Sequence, residues 1–318
     1  MYVRVGSMSS HSNRREFLKS VLAAGAAAGV AEMLARPALA RSAETPITNS
    51  RLNDRLVVFA GAGANVVAFQ GPEGILLVDG GLPERSPDLV ASVLKETRAK
   101  KIQTLINTHW HPEQTGSNER LGKAGAKIIA HENTKLWLTY AQTEPGHDKP
   151  YGPLSAHGLP NETTYSNGNL SFPNEKVEYG YLLQAHTDGD LYVYFRDSNV
   201  LVAGGVVSNE GWPIIDYETG GWIGGLVEGL RVLSTVGNDQ TTIVPANGAV
   251  LTKADLKAQH DMYATINQRL NQALRKGLGP DEAIALHPTK EFDAKWGDPT
   301  QFLNLAFRSL WGHMAPDA

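Results

Sequence analysis

The chain has no cysteine among its 318 residues, so disulfides and thiolate ligands are excluded and any metal must sit on nitrogen and oxygen donors. It has no basic surplus either: 29 lysines and arginines face 33 aspartates and glutamates, a net charge of −4, which leaves no electrostatic footprint for a nucleic-acid partner. A membrane-spanning run is also missing near the start, where the Ala/Gly-rich stretch Val21–Val30 falls short of the ~20 residues a span needs and Glu32 interrupts it. What remains is an ordinary globular composition, 42% hydrophobic, long enough to bury a large core in one big domain or two small ones.

Residues 1–40 read as a targeting segment rather than as fold. They hold five basic side chains against Glu16 and Glu32, so the net charge hides a more acidic body. Arg14-Arg15-Glu16-Phe17-Leu18-Lys19 resembles a twin-arginine signal, followed by a weakly apolar stretch and the small-residue cleavage site Ala38-Leu39-Ala40. The segment predicts recognition by the twin-arginine export machinery, a periplasmic or exported protein, and no stable membrane insertion after cleavage. Export of a folded chain would let a metal be loaded beforehand.

Polar residues 41–52 read as a linker, and the body starts near Asn53. Leu56–Ala60, Asn65–Gln70 and Ile75–Asp79 are β-rich runs separated by Gly/Pro turns, an antiparallel meander. A helix is predicted over Pro83–Lys100, with Leu89, Val90, Val93 and Leu94 on one face, then a strand at Lys101–Asn107, a short helix from Ser117, a strand at Ala126–Ala130 and a helix at Asn133–Gln142. Residues 143–160 form an irregular loop long enough to be functional. The pattern then repeats loosely, with strands at Thr163–Tyr165, Leu170–Phe172, Lys176–Gln184, Leu191–Phe195, Val200–Ala203 and Thr242–Pro245 and a helix at Gly225–Val236. This alternation argues for an α/β layered sandwich of two sheets with helices outside. Residues 251–318 read as a helical extension, with a long amphipathic helix at Lys253–Lys276 and Trp296 and Trp311 as packing anchors.

The chemistry is carried by histidines. His109 and His111 follow directly on a strand, where residues i and i+2 point the same way, so both imidazoles can converge while Trp110 faces the other side. Ten histidines in 318 residues make such a pair weak evidence alone. His186 supplies the context: it too lies where a strand opens into a Gly/Asp turn, His186-Thr187-Asp188-Gly189-Asp190. Three neutral imidazoles with an open fourth position make a catalytic-type zinc site, in which bound water ionises near pH 7.

The run Thr108-His109-Trp110-His111-Pro112-Glu113-Gln114-Thr115-Gly116 resembles the T-H-x-H-x-D-H-x-G signature of the metallo-β-lactamase superfamily. Ala185-His186-Thr187-Asp188-Gly189-Asp190 is similar to its G-H-T-x-G-D/S element, and Leu77-Val78-Asp79-Gly80-Gly81 to the strand end that precedes both. The resemblance covers about residues 53–250 and implies a four-layer αβ/βα sandwich and one zinc per chain on His109, His111 and His186. It also implies that Asp79 supports the histidine loop.

The departures matter equally. The resemblance implies that two-metal members use four further positions, which here read Glu113, Gln114, Gly205 and Asn247. Two divalent cations close together repel unless anionic ligands lie between them, and Gly205 deletes the bridging carboxylate. A tightly held second zinc is therefore not expected, and Gly205→Asp with Asn247→His is expected to raise stoichiometry toward two. Glu113 keeps a carboxylate for handling the proton of the reacting water, for ligating a metal, or for supporting a histidine N–H. Asp188 and Asp190 are expected to stabilise the turn rather than bind metal. His131 reads as a helix cap, His147 and His157 as loop residues that could flank a substrate, His260 as structural, and Gly220–Gly225 as the approach to a helix. The expected activity is zinc-dependent hydrolysis of an ester, lactone, thioester or β-lactam-like bond in a small-molecule substrate. The competing expectation is a catalytically silent relative that keeps the fold and a metal for binding.

Overall fold

The computed structural model describes residues 45–314, so the leader expected over residues 1–40 lies outside the described residues. Twelve strands form two sheets among them. The first runs β1 (Thr48–Arg51), β2 (Leu56–Ala60), β3 (Val66–Gln70), β4 (Ile75–Val78), β5 (Ile102–Ile106), β6 (Lys127–His131), β7 (Glu162–Thr164), each hydrogen-bonded to the next. Pairing is antiparallel up to β4 and parallel beyond it. The second sheet is ordered β12 (Thr242–Val244), β11 (Val200–Val202), β10 (Asp190–Phe195), β9 (Glu175–Leu182), β8 (Gly168–Phe172), with only β11–β12 parallel.

Side-chain alternation explains the layers. On β2, Leu56 and Val58 face the second sheet while Val57 and Phe59 face outward, and on β4 Leu76 and Val78 alternate with Ile75 and Leu77 in the same way. The inner set meets Val177, Leu191, Val193, Phe195, Val200 and Val202 of the second sheet. The outer set of the first sheet is covered by α1 (Ser86–Thr97), which contributes Leu89 and Val93. Three short helices follow: α2 (Pro112–Thr115), α3 (Asn118–Lys123) and α4 (Glu132–Trp137). Outside the second sheet lie α5 (Ile223–Thr235), α6 (Lys253–Arg275), α7 (Pro280–Ala285), α8 (Asp293–Trp296) and α9 (Thr300–Met314). Helix, sheet, sheet, helix is the four-layer sandwich expected from the sequence.

Several boundaries differ for local reasons. Residues 48–51 form an edge strand paired to β2 rather than a linker; all four side chains are exposed, so no apolar alternation marks it. The helix α1 begins at Ser86 after a 3-10 turn at Pro83–Arg85. The helix α4 ends at Trp137, where the backbone tightens into turns closed by Thr139 N–Leu136 O and Tyr140 N–Trp137 O and then pairs Gln142 with Tyr151. The C-terminal helices share one core with the outer face of the second sheet and so form its covering layer. Within them Trp296 is buried as expected, but Trp311 is 51% exposed: the buried stripe of α9 is Phe302, Leu303, Ala306, Phe307 and Leu310, and Trp311 falls one residue off that face. No helix among the described residues is long and apolar enough to cross a membrane.

The strand ends place the site. His109 and His111 follow β5, Asp79 follows β4, His186 lies between β9 and β10, Gly205 follows β11 and Asn247 follows β12. Ligand sites in sheets of this kind collect at the carboxyl ends of parallel strands.

Candidate metal centre

Three imidazoles meet edge to face, with ring centroids 4.6–4.8 Å apart, and all three side chains are buried. Each is fastened through the nitrogen pointing away from the centre. His111 Nε2 lies 3.0 Å from Asp216 Oδ2, and His186 Nδ1 lies 2.7 Å from Ile214 O. Both partners only accept, so both nitrogens carry the proton and donate it, leaving lone pairs on His111 Nδ1 and His186 Nε2. His109 Nδ1 faces Thr108 Oγ1 at 3.0 Å, and that hydroxyl donates to Asp79 Oδ2 (3.0 Å), so it accepts from the imidazole and frees His109 Nε2.

His111 Nδ1 and His186 Nε2 stand 3.2 Å apart. Two lone pairs aimed at each other repel, whereas two nitrogens on one tetrahedral zinc at 2.0–2.1 Å sit ~3.3 Å from each other. The donor set therefore fits a divalent cation. Burial, and the neighbouring imidazoles after it, hold His109 and His111 well below the usual histidine range, which keeps them in the neutral, ligating form.

The supports come from the flanking turns. Asp79 adopts a left-handed backbone (φ 65°) at the end of β4, and its Oδ1 accepts from Thr108 N at 2.8 Å. Burial pushes its carboxyl up to about 8, opposed by the two Thr108 hydrogen bonds. Asp190 Oδ2 accepts from the backbone N–H groups of His186 (2.6 Å) and Thr187 (2.8 Å) and so shapes the turn. Asp188 instead accepts from Trp137. Trp110 packs edge to face against His111 (ring centroids 4.7 Å apart) and donates to Asp216 Oδ2 and Thr219 Oγ1, both at 3.1 Å. Asp216 thus ties His111 and Trp110 together; burial raises its carboxyl, and the Thr219 hydrogen bond pulls it back.

Comparison with known proteins agrees with this geometry. The family model described as "Metallo-beta-lactamase superfamily" matches residues 61–286, most of the chain. The chain belongs to the metallo-beta-lactamase superfamily. It is 26% identical over 146 residues to a metallo-beta-lactamase type 2 of Bacillus cereus, covering 46% of this chain and 52% of that one. It is 25% identical over 146 residues to the corresponding protein of Bacillus sp. (strain 170), covering 46% of this chain and 51% of that one, so the match spans about half the length of these relatives. Among solved structures, a metallo-beta-lactamase from Pontibacter korlensis superposes with a TM-score of 0.56 at 15% identity, covering 69% of this chain and 99% of that one, a likeness of fold. The superfamily match extends through residue 286, into the segment read from sequence as an extension.

The four altered superfamily positions have distinct surroundings. Gln114 lines the cleft beside the imidazoles with a buried Oε1 that accepts no hydrogen bond. Asn247 also lines the cleft, and its amide lies against two backbone carbonyls, Ala246 O and Gly63 O, to both of which the nitrogen donates when the amide is oriented to suit them. Gly205 lies directly beneath His186: a Cβ there would sit 2.2 Å from His186 Cδ2. A side chain at 205 would therefore require the His186 ring to shift, so Gly205→Asp would act on the triad as well as add a carboxylate. Glu113 lies on the cleft wall, not against the imidazoles but 3.5 Å from His147 Nε2.

Two residues of this site escaped the sequence reading: Asp216 and Glu144. Glu144 comes from the irregular loop, and its Oε1 lies 3.2 Å from His111 Nδ1, on the face that points into the triad. Burial, then the nearby Glu113 carboxylate, raises the Glu144 carboxyl well above its usual range. The signal was Glu144-Pro145-Gly146-His147, with proline second and a positive-φ glycine third (Gly146 φ 96°), which is a type II turn closed by His147 N donating to Glu144 O at 3.0 Å. His131 caps α4, accepting from Asn133 N (3.2 Å), and stacks on Tyr181. His157 is exposed and outside the cleft lining, His260 pairs with Asp261, and Gly220–Gly225 leads into α5.

Proposed function

We propose that this chain is a metal-dependent hydrolase holding a divalent cation, zinc by its donor set, on His109, His111 and His186 and cleaving a small acyl substrate. The observation that carries the reading is the tethering of all three imidazoles from behind, which leaves three nitrogens free toward one point at the floor of an open cleft. A divalent cation bound there supplies a Lewis acid for a carbonyl oxygen and lowers the pKa of water toward neutrality.

The chain's own residues supply the rest. Glu113, one-fifth exposed on the cleft wall, accepts the proton released as water attacks. Trp212, Pro213 and Ile214 form an apolar wall for the substrate's body. Glu113, Glu144 and Glu210 line the same cleft, and none of its lining residues is lysine or arginine. The walls offer a substrate carboxylate or phosphate no cationic side chain, so only a bound cation could receive it, and lactones and neutral esters or thioesters are favoured over substrates that need an anion-binding side chain. The names of the Bacillus relatives keep β-lactams on the panel of substrates to be assayed.

The test combines metal content with turnover. Protein purified without added metal should contain zinc, lose it on His111→Ala, and hydrolyse at least one lactone, ester, thioester or β-lactam in a pH-dependent way that the same variant abolishes. Firmly held zinc with no turnover across the panel would move the reading to a silent, metal-bearing binding protein. Export rests on Arg14–Lys19 and Ala38–Ala40, and cell fractionation of the wild type against Arg14→Lys/Arg15→Lys measures it.

A further inference from the structure

A second set of donors stands next to the triad, and the superfamily's second-metal positions contribute only one residue to it. Glu113, Glu144 and His147 offer ligand atoms that all lie within 4.8 Å of one another. His147 Nε2 is 3.5 Å from Glu113 Oε1 and 3.4 Å from Glu144 Oε2, with no hydrogen bond formed at either contact. Those separations exceed the 2.7–3.2 Å of a good N–H···O bond and match the ~3.3 Å edge between two nitrogen or oxygen ligands of one tetrahedral cation.

An independent observation points the same way. Glu144 is only 8% exposed, yet its Oε2 accepts no hydrogen bond. A buried carboxylate oxygen without a partner is rare, and an ion is one of the few things that accounts for it. The two oxygens of Glu144 face different neighbours, Oε1 toward His111 Nδ1 at 3.2 Å and Oε2 toward His147 Nε2 at 3.4 Å. Its carboxylate therefore lies between the two donor sets, where two cations would need negative charge to hold them together.

We propose that Glu113, Glu144 and His147 form a second divalent-cation site, displaced from the superfamily's usual one, with Glu144 as the carboxylate shared between it and the triad. The loop turn Glu144-Pro145-Gly146-His147 supplies from the opposite wall the anionic bridge that Gly205 lacks. Glu113 keeps one oxygen for the substrate-side proton. The inference rests on the triad being a cation site, and the experiment separates the two.

Metal-stripped protein is titrated with zinc by calorimetry, and bound zinc is counted by elemental analysis after desalting. The wild type is expected to take two ions per chain in two affinity classes. His147→Ala and Glu113→Gln, both at partly exposed positions, are each expected to leave one ion, with the tighter affinity changed less than about 3-fold; His111→Ala is expected to remove the tighter class. Melting curves in chelator that match the wild type show that the variants fold, and His147→Ala alone carries the test if Glu113→Gln does not fold. One ion per chain at saturating zinc overturns the proposal, as do two ions that both survive His147→Ala. One ion weakened by Glu144→Gln but not by His147→Ala also overturns it, by making Glu144 a fourth ligand of the triad. Failure of His111→Ala to weaken either ion would instead strike the triad and the hydrolase reading itself.

Discussion

The three imidazoles are each fastened through their far nitrogen, to Thr108, Asp216 or Ile214, whereas Glu113, Glu144 and His147 beside them face one another at 3.4–3.5 Å across open contacts. The first group sits on strand ends of both sheets and is buried; the second joins one short helix to an irregular loop, with Glu113 and His147 partly exposed and only Glu144 buried. A preorganised donor set loses little entropy on taking up a cation, while a loop-borne set must be ordered by it. One cleft thus combines a rigid half and an adjustable half, and cation affinity should follow that division.

The sharpest way to break the division is Gly205→Ala. Its Cβ would sit 2.2 Å from His186 Cδ2, so the ring must leave its position, and zinc affinity at the triad should fall by more than 100-fold in a chelator competition assay. A variant that still binds like the wild type would show that the triad is not rigid. Asp216→Asn removes the charge behind His111 and should weaken the same ion by about 10–100-fold, the usual cost of losing such a support, with the loop-borne ion unaffected. Gly146→Ala acts on the other half. A side chain at φ 96° costs about 1–2 kcal/mol, so the loop-borne ion should weaken roughly 5- to 30-fold by calorimetry while the triad's affinity holds. Gln301→Ala should do least: Gln301 lies where a Cβ on Gly146 would point, and losing it should shift the weaker ion less than about 3-fold.

How much was legible beforehand follows the same division. The layered fold could be read from alternating apolar residues in short windows, and His109, His111, His186 and Asp79 from strand-end motifs that resemble those of the superfamily. Asp216 could not be read this way, since it lies 105 residues from His111 in a segment with no periodicity and its role exists only once the chain is folded. Glu144 was hidden, and His147 was read only as a loop residue that could flank a substrate, because the direction of their turn depends on the Gln142–Tyr151 pairing. The strand β1 was missed because nothing in Thr48–Arg51 is buried, and Trp311 was misplaced because an aromatic residue one step off a buried stripe looks like part of it. Gly205 was read as a missing ligand, and its other task, making room for His186, needed three dimensions.

The segment that carries Ile214 and Asp216 is itself held from outside. Gln259 of α6 donates to Ser208 O, Trp212 stacks on Phe302 of α9 and donates to Gly297 O, and Ser309 of α9 accepts from Ile223 N. The rear anchors of two imidazoles are therefore backed by the last helix of the chain. A fusion partner or ligand that levered α9 outward would slacken both anchors at once, giving remote control over cation uptake from a surface that shares no atom with the cleft.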